Sequence, residues 1–358
     1  MESIGKRNHV ASDYPSMTPP LSGIRVNESG DGLSVRFAGR LLRFLGAEVR
    51  RPAAPAPAHC GPAARALFEY LDEGKTLLSD DTAPADVQIW LDERAPTEIE
   101  ADLATLDPAA PLVHVAITPF GMTGPWKDAK ATGIVASALG GFLHICGDEN
   151  GPPLKNGGYL VEFQTGLFAV LGALAGLVKL EAGGGGSRVE TSLFESVVAF
   201  QERADIAWTH QGDDWRRRRR HEVGHPFTIF ECADGFVSLA VGTPRHWQSL
   251  SLLIGKPEWG ENIELTMSRL ANADMIDEVL KPWLLARTSA EIVQSCQQLF
   301  IPCGPVLTAS DVLHDAHLRE RDFFESFQAT ARALTVPGAP FRSEWATAPS
   351  SVSLEAKR

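Results

Sequence analysis

Ile24-Arg25-Val26, followed by Leu33-Ser34-Val35-Arg36-Phe37-Ala38-Gly39-Arg40-Leu41-Leu42-Arg43-Phe44-Leu45-Gly46-Ala47-Glu48-Val49, is the stretch that decides the fold. Its first three residues read as a short strand. Residues 33–45 then place Val35, Leu41, Leu42 and Leu45 at helical spacing, and Gly46 suits the end of that helix. Ala47-Glu48-Val49 reads as a second strand, so the whole is a β-α-β unit. The pattern recurs downstream: helix 63–70, strand 86–91, helix 98–106, strand 112–118. Strands alternating with helices imply a parallel sheet covered by helices.

Past the strand at 112–118 comes Pro119-Phe120-Gly121-Met122-Thr123-Gly124-Pro125. Glycine-rich loops at the carboxyl ends of parallel strands are where α/β sheets bind ligands. Helices are expected near 133–144 and 165–180, a glycine tether at 183–187, a strand at 188–192 and a helix at 195–210. The character then changes. Asp213-Asp214-Trp215 and five arginines, 216–220, form a polar connector. Two strand-like runs, 227–232 and 236–241, flank Ala233-Asp234-Gly235, a hairpin signal. Helical segments follow near 245–254, 275–286 and 289–299, and 327–336 is again strand-like. The expected organisation is a loose tail at 1–20, a large α/β domain at 21–210, a connector at 211–224, a smaller α+β domain at 225–310, and a return to the large domain at 311–358.

Composition narrows the function. A net charge of −12 argues against nucleic acid as a general partner. The five cysteines are scattered with no CxxC spacing, which excludes a disulfide framework or zinc ribbon and points to the cytoplasm. His144, His225 and His246 have no metal-ligand spacing, so no metal is expected. The apolar run 167–178 is shorter than the ~20 residues that span a bilayer, and a buried helix rather than a membrane anchor is expected.

One segment concentrates the chemistry: Gly157-Gly158-Tyr159-Leu160-Val161-Glu162-Phe163-Gln164-Thr165-Gly166. It puts a single acid, Glu162, where a glycine-rich segment enters an apolar helix. A carboxylate there meets unpaired backbone N–H groups and the positive end of the helix dipole. From the residues alone it is either a plain helix cap or a reactive group.

The chain resembles the class III CoA-transferases, the family of formyl-CoA, carnitine and succinyl-CoA-dependent transferases together with the α-methylacyl-CoA racemases, of which it is a divergent member. The resemblance rests on the order of many short pieces. They are Gly23-Ile24-Arg25-Val26, the 37–49 segment, Phe120-Gly121-Met122-Thr123-Gly124-Pro125, Ser187-Arg188-Val189-Glu190-Thr191-Ser192-Leu193, Ala233-Asp234-Gly235, Ile301-Pro302-Cys303-Gly304-Pro305-Val306 and Gly338-Ala339-Pro340-Phe341. It implies a Rossmann-like large domain, a small α+β domain and an interlocked dimer, formed by two copies or with a second family member. It also implies an acyl-CoA and a small carboxylic acid as partners, with the coenzyme A thioester as substrate and no permanently bound cofactor. Family members transfer CoA through an aspartate three positions before Thr/Ala-Gly. With Thr165-Gly166 in register, that place belongs to Glu162, the expected catalytic residue. Gly121, Thr123, Gly124, Arg50 and Arg51 are the expected substrate and CoA contacts.

The departures are specific. Glutamate is longer than aspartate by roughly 1.5 Å, and a ~1 Å misplacement can cost ~10²-fold in rate. Arg50-Arg51-Pro52 stands where the family has Lys-hydrophobic-Glu-Arg-Pro. No Asn-Arg-Gly-Lys type stretch lies between 57 and 63, and Trp90-Leu91-Asp92 stands for Glu-Asn-Phe. These departures raise a second reading, a non-catalytic subunit of a heteromeric transferase. A third, a racemase or isomerase on the same fold, wants a histidine near Thr132, which is absent.

Overall fold

Six parallel strands form the central sheet, in the order β3-β2-β1-β4-β5-β6. The computed structural model describes residues 18–53, 61–79, 86–107, 109–217, 224–263, 265–330, 332–343 and 345. Most of the tail expected at 1–20, the 57–60 segment, Cys60 and arginines 218–220 lie outside the described residues. The described residues of Met1–Gly147, Pro153–Trp215 and Asp322–Arg358 form one compact unit, and those of Asp148–Pro152 and Arg216–Arg321 a second.

In the first unit, β1 (Arg25–Ser29), α1 (Leu33–Phe44) and β2 (Glu48–Pro52) make the opening β-α-β unit. Then come α2 (Pro62–Asp72), β3 (Thr76–Leu78), β4 (Ile89–Asp92), α3 (Pro96–Leu103), β5 (Val113–Thr118), α4 (Gly133–Leu139), α5 (Phe142–Ile145), α6 (Leu160–Glu181), β6 (Ser187–Ser192), α7 (Leu193–Phe200) and α8 (Glu202–Gln211). Strands β4 and β5 are buried along their whole length, as a parallel sheet covered by helices requires. The core joins Val26, Ile89, Val113, Val115 and Ile117 of the sheet to Val35, Ala38 and Leu42 of α1 and Ala169, Val170 and Ala173 of α6. The strand order reverses between β1 and β4, so the crevice at their carboxyl ends is the natural ligand position of this topology.

Several expectations need correction. Helix α6 starts at Leu160, five residues before the expected 165, and so contains Glu162 in its first turn. At 22 residues it is long and apolar enough to cross a bilayer, but it lies on the sheet, half of its apolar window buried. There Gly172 and Gly176 sit so near Val189 and Val113 that an added Cβ would come within 2.6 Å of either. The expected helix 195–210 is two helices, broken at Gln201. β3 is three residues long and was not anticipated. Trp90-Leu91-Asp92 is not a post-strand loop but the buried interior of β4, and the first residue past the strand is Glu93.

The second unit begins with the expected hairpin, β7 (Phe227–Cys232) and β8 (Gly235–Ala240), turning at Ala233-Asp234. Five helices follow: α9 (Pro244–Leu253), α10 (Pro257–Asn262), α11 (Thr266–Ala271), α12 (Ala273–Leu285) and α13 (Ser289–Gln298). Of these, α10 and α11 were not foreseen. β9 (Cys303–Pro305) completes a three-stranded antiparallel sheet, and α14 (Ala309–His314) and α15 (Ala316–Glu320) close the unit. Its core holds Trp247, Leu250, Ile276, Leu280 and Ile292. The Asp234 carboxylate accepts the Ser289 N–H at 2.7 Å, tying the hairpin turn to the start of α13. The chain returns to the first unit with β10 (Phe324–Gln328) and β11 (Ala333–Pro337), an antiparallel hairpin where a single strand-like run was expected.

Candidate active site

The site is built where helices start at the carboxyl edge of the sheet. Glu162 is the third residue of α6 and is half-buried. Its Oε1 accepts the Gly133 N–H at 3.1 Å. Gly133 opens α4, whose N-cap Thr132 makes no side-chain cap of its own. Glu162 therefore caps α4 from another helix while sitting in the first turn of α6, so two helix starts present N–H groups and dipoles to one carboxylate. A Cβ on Gly133 would lie only 2.5 Å from Oε1. The missing side chain is the space that the longer glutamate fills.

A second carboxylate stands nearby. Glu93 leaves the end of β4, its N–H donating to the Ser29 carbonyl at 2.9 Å. Its Oε2 accepts the Val35 N–H at 2.8 Å, in the first turn of α1. Gly32, the N-cap of α1, has no side chain to do this, and a Cβ there would strike the Glu93 carboxyl at 2.0 Å. A Cβ on Gly30 (φ +94°) would come within 2.6 Å of the Glu93 carbonyl oxygen. The Gly30-Asp31-Gly32 turn is thus moulded around Glu93. Burial pushes the Glu93 carboxyl up to about 7; the Val35 N–H and Ser34 hydroxyl oppose that shift, Glu162 adds to it, and Arg36 opposes it. In dinucleotide-binding sheets of this strand order, the first βα turn cradles a pyrophosphate. Here the protein's own carboxyl occupies it, and the fold is closed to that use. The sequence did signal Glu93, as an acid directly past a buried strand, but the signal went unread.

The remaining expected contacts fall into two groups. Gly121 (φ +93°) and Gly124 (φ +88°) shape the loop after β5 and need glycine's left-handed freedom. The Gly121 N–H donates to Thr118 Oγ1 at 2.8 Å, the Met122 N–H to Glu190 Oε2 at 3.1 Å, and Thr123 is exposed. Among the described residues, none of Gly121, Thr123 and Gly124 hydrogen-bonds to Glu162. Arg50 is half-buried and pairs with Asp86 at 3.2 Å. Arg51 shares the buried face of β2 with Val49 and is spent internally, on Asp72 at 2.9 Å and Glu28 at 3.4 Å. Its expected ligand-facing role is closed to it. Lys75 is buried likewise, 2.6 Å from Glu28. Among the described residues no three His, Cys, Asp or Glu side chains gather as a metal site.

Fold and site together define an α/β protein whose ligand edge is lined by carboxylates instead of a dinucleotide cradle. The model of CoA-transferase family III matches residues 93–354, and the chain belongs to that family. It is 28% identical to formyl-CoA:oxalate CoA-transferase of Streptomyces avermitilis, across 94% of this chain and 90% of that protein. It is 25% identical to the succinyl-CoA–L-malate CoA-transferase beta subunit of Chloroflexus aurantiacus, across 86% and 84%. A CaiB/BaiF family protein from Brucella suis superposes with a TM-score of 0.79 at 21% identity, covering 91% of this chain and 93% of that one.

Proposed function

We propose that this chain moves CoA from an acyl-CoA thioester to a small carboxylic acid, with Glu162 as the covalent carrier. The observation that carries this is the Glu162 carboxylate seated at two helix starts, in the family's nucleophile register. A Glu162 oxygen attacks the thioester carbonyl, the C–S bond breaks, and the electron pair leaves with sulfur as CoA thiolate. The thiolate then attacks the Glu162 carbonyl of the mixed anhydride, releasing the donor acid and leaving CoA as a thioester on Glu162. The acceptor carboxylate attacks that thioester, expelling CoA thiolate and forming a second mixed anhydride with Glu162; the thiolate then attacks the acceptor's carbonyl, giving product acyl-CoA and releasing the Glu162 carboxylate.

The test is to incubate the purified chain with succinyl-CoA and a panel of small carboxylic acids, then quench with hydroxylamine. Acyl-CoA products and a hydroxamate on the Glu162 peptide are expected by mass spectrometry. Turnover with Glu162 unmodified would remove this reading. The second reading, a non-catalytic subunit, draws on the beta-subunit relative and on the outward face of α6. Leu167, Leu171 and Val178 are half to two-thirds exposed there, a surface we assign to a second family chain. An inactive chain that gains activity only with such a partner supports it.

The seat of the carboxylate is separately testable. Gly133→Ala puts a methyl where the Glu162 carboxylate rests. Only the end of a flexible side chain has to move, so the melting temperature should hold within a few degrees. The displaced nucleophile should lose about 10- to 100-fold in transfer rate.

A further inference from the structure

We propose that Glu93 is a positioning residue for Glu162: its carboxyl closes the first turn of α1, on which the first turn of α6 carries Glu162. The inference rests on the reading of Glu162 as nucleophile.

The geometry supplies the mechanical half. The Glu93 carboxyl is fixed from two sides, by the Val35 N–H and by the Gly30-Asp31-Gly32 turn, and the wholly buried Ser34 lies next to Val35 in the same first turn of α1. The turn it fixes is the one that α6 rests on. A Cβ on Gly166 would lie 2.7 Å from the Ser34 carbonyl, and Phe37 stacks on Phe163 with ring centroids 4.6 Å apart. Phe163 is the neighbour of Glu162. Moving the carboxyl of Glu93 therefore moves the floor under the nucleophile.

The electrical half follows from charge. Attack by Glu162 drives negative charge onto the thioester oxygen and then onto sulfur. An ionised Glu93 would oppose both in a poorly hydrated crevice, whereas a neutral one adds no opposing field. The charged groups facing Glu93 are Glu162 from α6 and Arg36 from α1. On its own element, Asp92 and Arg94 neutralise one another at 2.8 Å. Below about pH 7 the proton of Glu93 stays on Glu93. The oxygen–carbon bond forms and the carbon–sulfur bond breaks at Glu162 alone. The elevated titration of Glu93 agrees with this arrangement.

The experiment measures single-turnover labelling of Glu162 by succinyl-CoA between pH 5.5 and 9 in the wild type, Glu93→Gln and Glu93→Ala, with melting curves over the same range. The wild-type labelling rate should fall about tenfold per pH unit once Glu93 ionises, with a midpoint near 7. Glu93→Gln, neutral and able to accept the Val35 N–H, should lack that alkaline limb. Glu93→Ala, with α1 uncapped, should be slower at every pH. An alkaline limb that survives in Glu93→Gln overturns the proposal. If the wild type turns over with Glu162 unlabelled at every pH, the nucleophile reading fails by itself, and the melting curves decide the charge coupling. A raised folded-state pKa means the folded protein binds the extra proton, so wild-type stability should decline from about pH 4.3 to about 7, relative to Glu93→Gln. Parallel curves overturn the coupling.

Discussion

Glu162→Gln should abolish CoA transfer, by on the order of 10³-fold or more, while the protein melts within a few degrees of the wild type. The size of the effect follows from the role. An amide oxygen does not form the mixed anhydride, so no covalent carrier is left and no hydroxamate is trapped. The mildness for folding follows from the geometry, since the amide oxygen can still accept the Gly133 N–H that Glu162 accepts at 3.1 Å. Glu162→Asp sharpens the test. It installs the family's usual acid but withdraws the carboxylate by roughly 1.5 Å from a seat shaped by the absent side chain of Gly133. If the chain is set for glutamate, Glu162→Asp should lose ~10²-fold. An aspartate variant that is faster than the wild type would mean the backbone still stands where an aspartate needs it. The native chain would then be a partner subunit that had lost its chemistry. Rates from initial product formation and melting by circular dichroism decide between the two.

The centre of the sheet was legible in the sequence because β4 and β5 are wholly buried and largely apolar, and the opening unit because Gly46 marks a helix end that only glycine makes easily. β5 was read within one residue of its bounds. What failed were features that packing decides. The start of α6 was placed late because Leu160 and Val161 follow two glycines and carry no Ser, Thr or Asp cap. The Glu162 carboxylate, in the first turn of α6, caps α4 instead, accepting the Gly133 N–H from 29 residues away. The break at Gln201 has no proline or glycine to announce it. Glu93 was passed over for the same reason as Glu162's partner: its hydrogen bond reaches Val35, 58 residues upstream. The family register located Glu162, but no local pattern shows which other acid shares its crevice. Arg51 was misread because adjacent arginines on a strand look alike in sequence, although they point to opposite faces.

Arg51→Met should destabilise the first unit by about 3–5 kcal/mol, the range for uncovering a buried charge. The side chain of Arg51 is wholly buried, as are those of Glu28 and Lys75. Around it, Asp72 lies at 2.9 Å, Glu28 at 3.4 Å and the Gly30 carbonyl at 3.4 Å. Burial pushes the Glu28 carboxyl up and the Lys75 ammonium down; Lys75 and Arg51 oppose the first drift, Glu28 and Asp72 the second. Taking Arg51 away leaves Glu28 with Lys75 alone and frees the carbonyl of the glycine turn that cradles Glu93. Chemical denaturation should show a lower midpoint with little change in slope. Glu28→Gln added to Arg51→Met should recover part of the loss, because the uncompensated carboxylate is then gone. Transfer activity, measured where the variant is still folded, should fall less steeply than stability, since Arg51 touches the site only through the Gly30 turn. A variant that kept full stability but lost saturation by acyl-CoA would contradict this, and would return Arg51 to the phosphate-facing role that two adjacent arginines suggest.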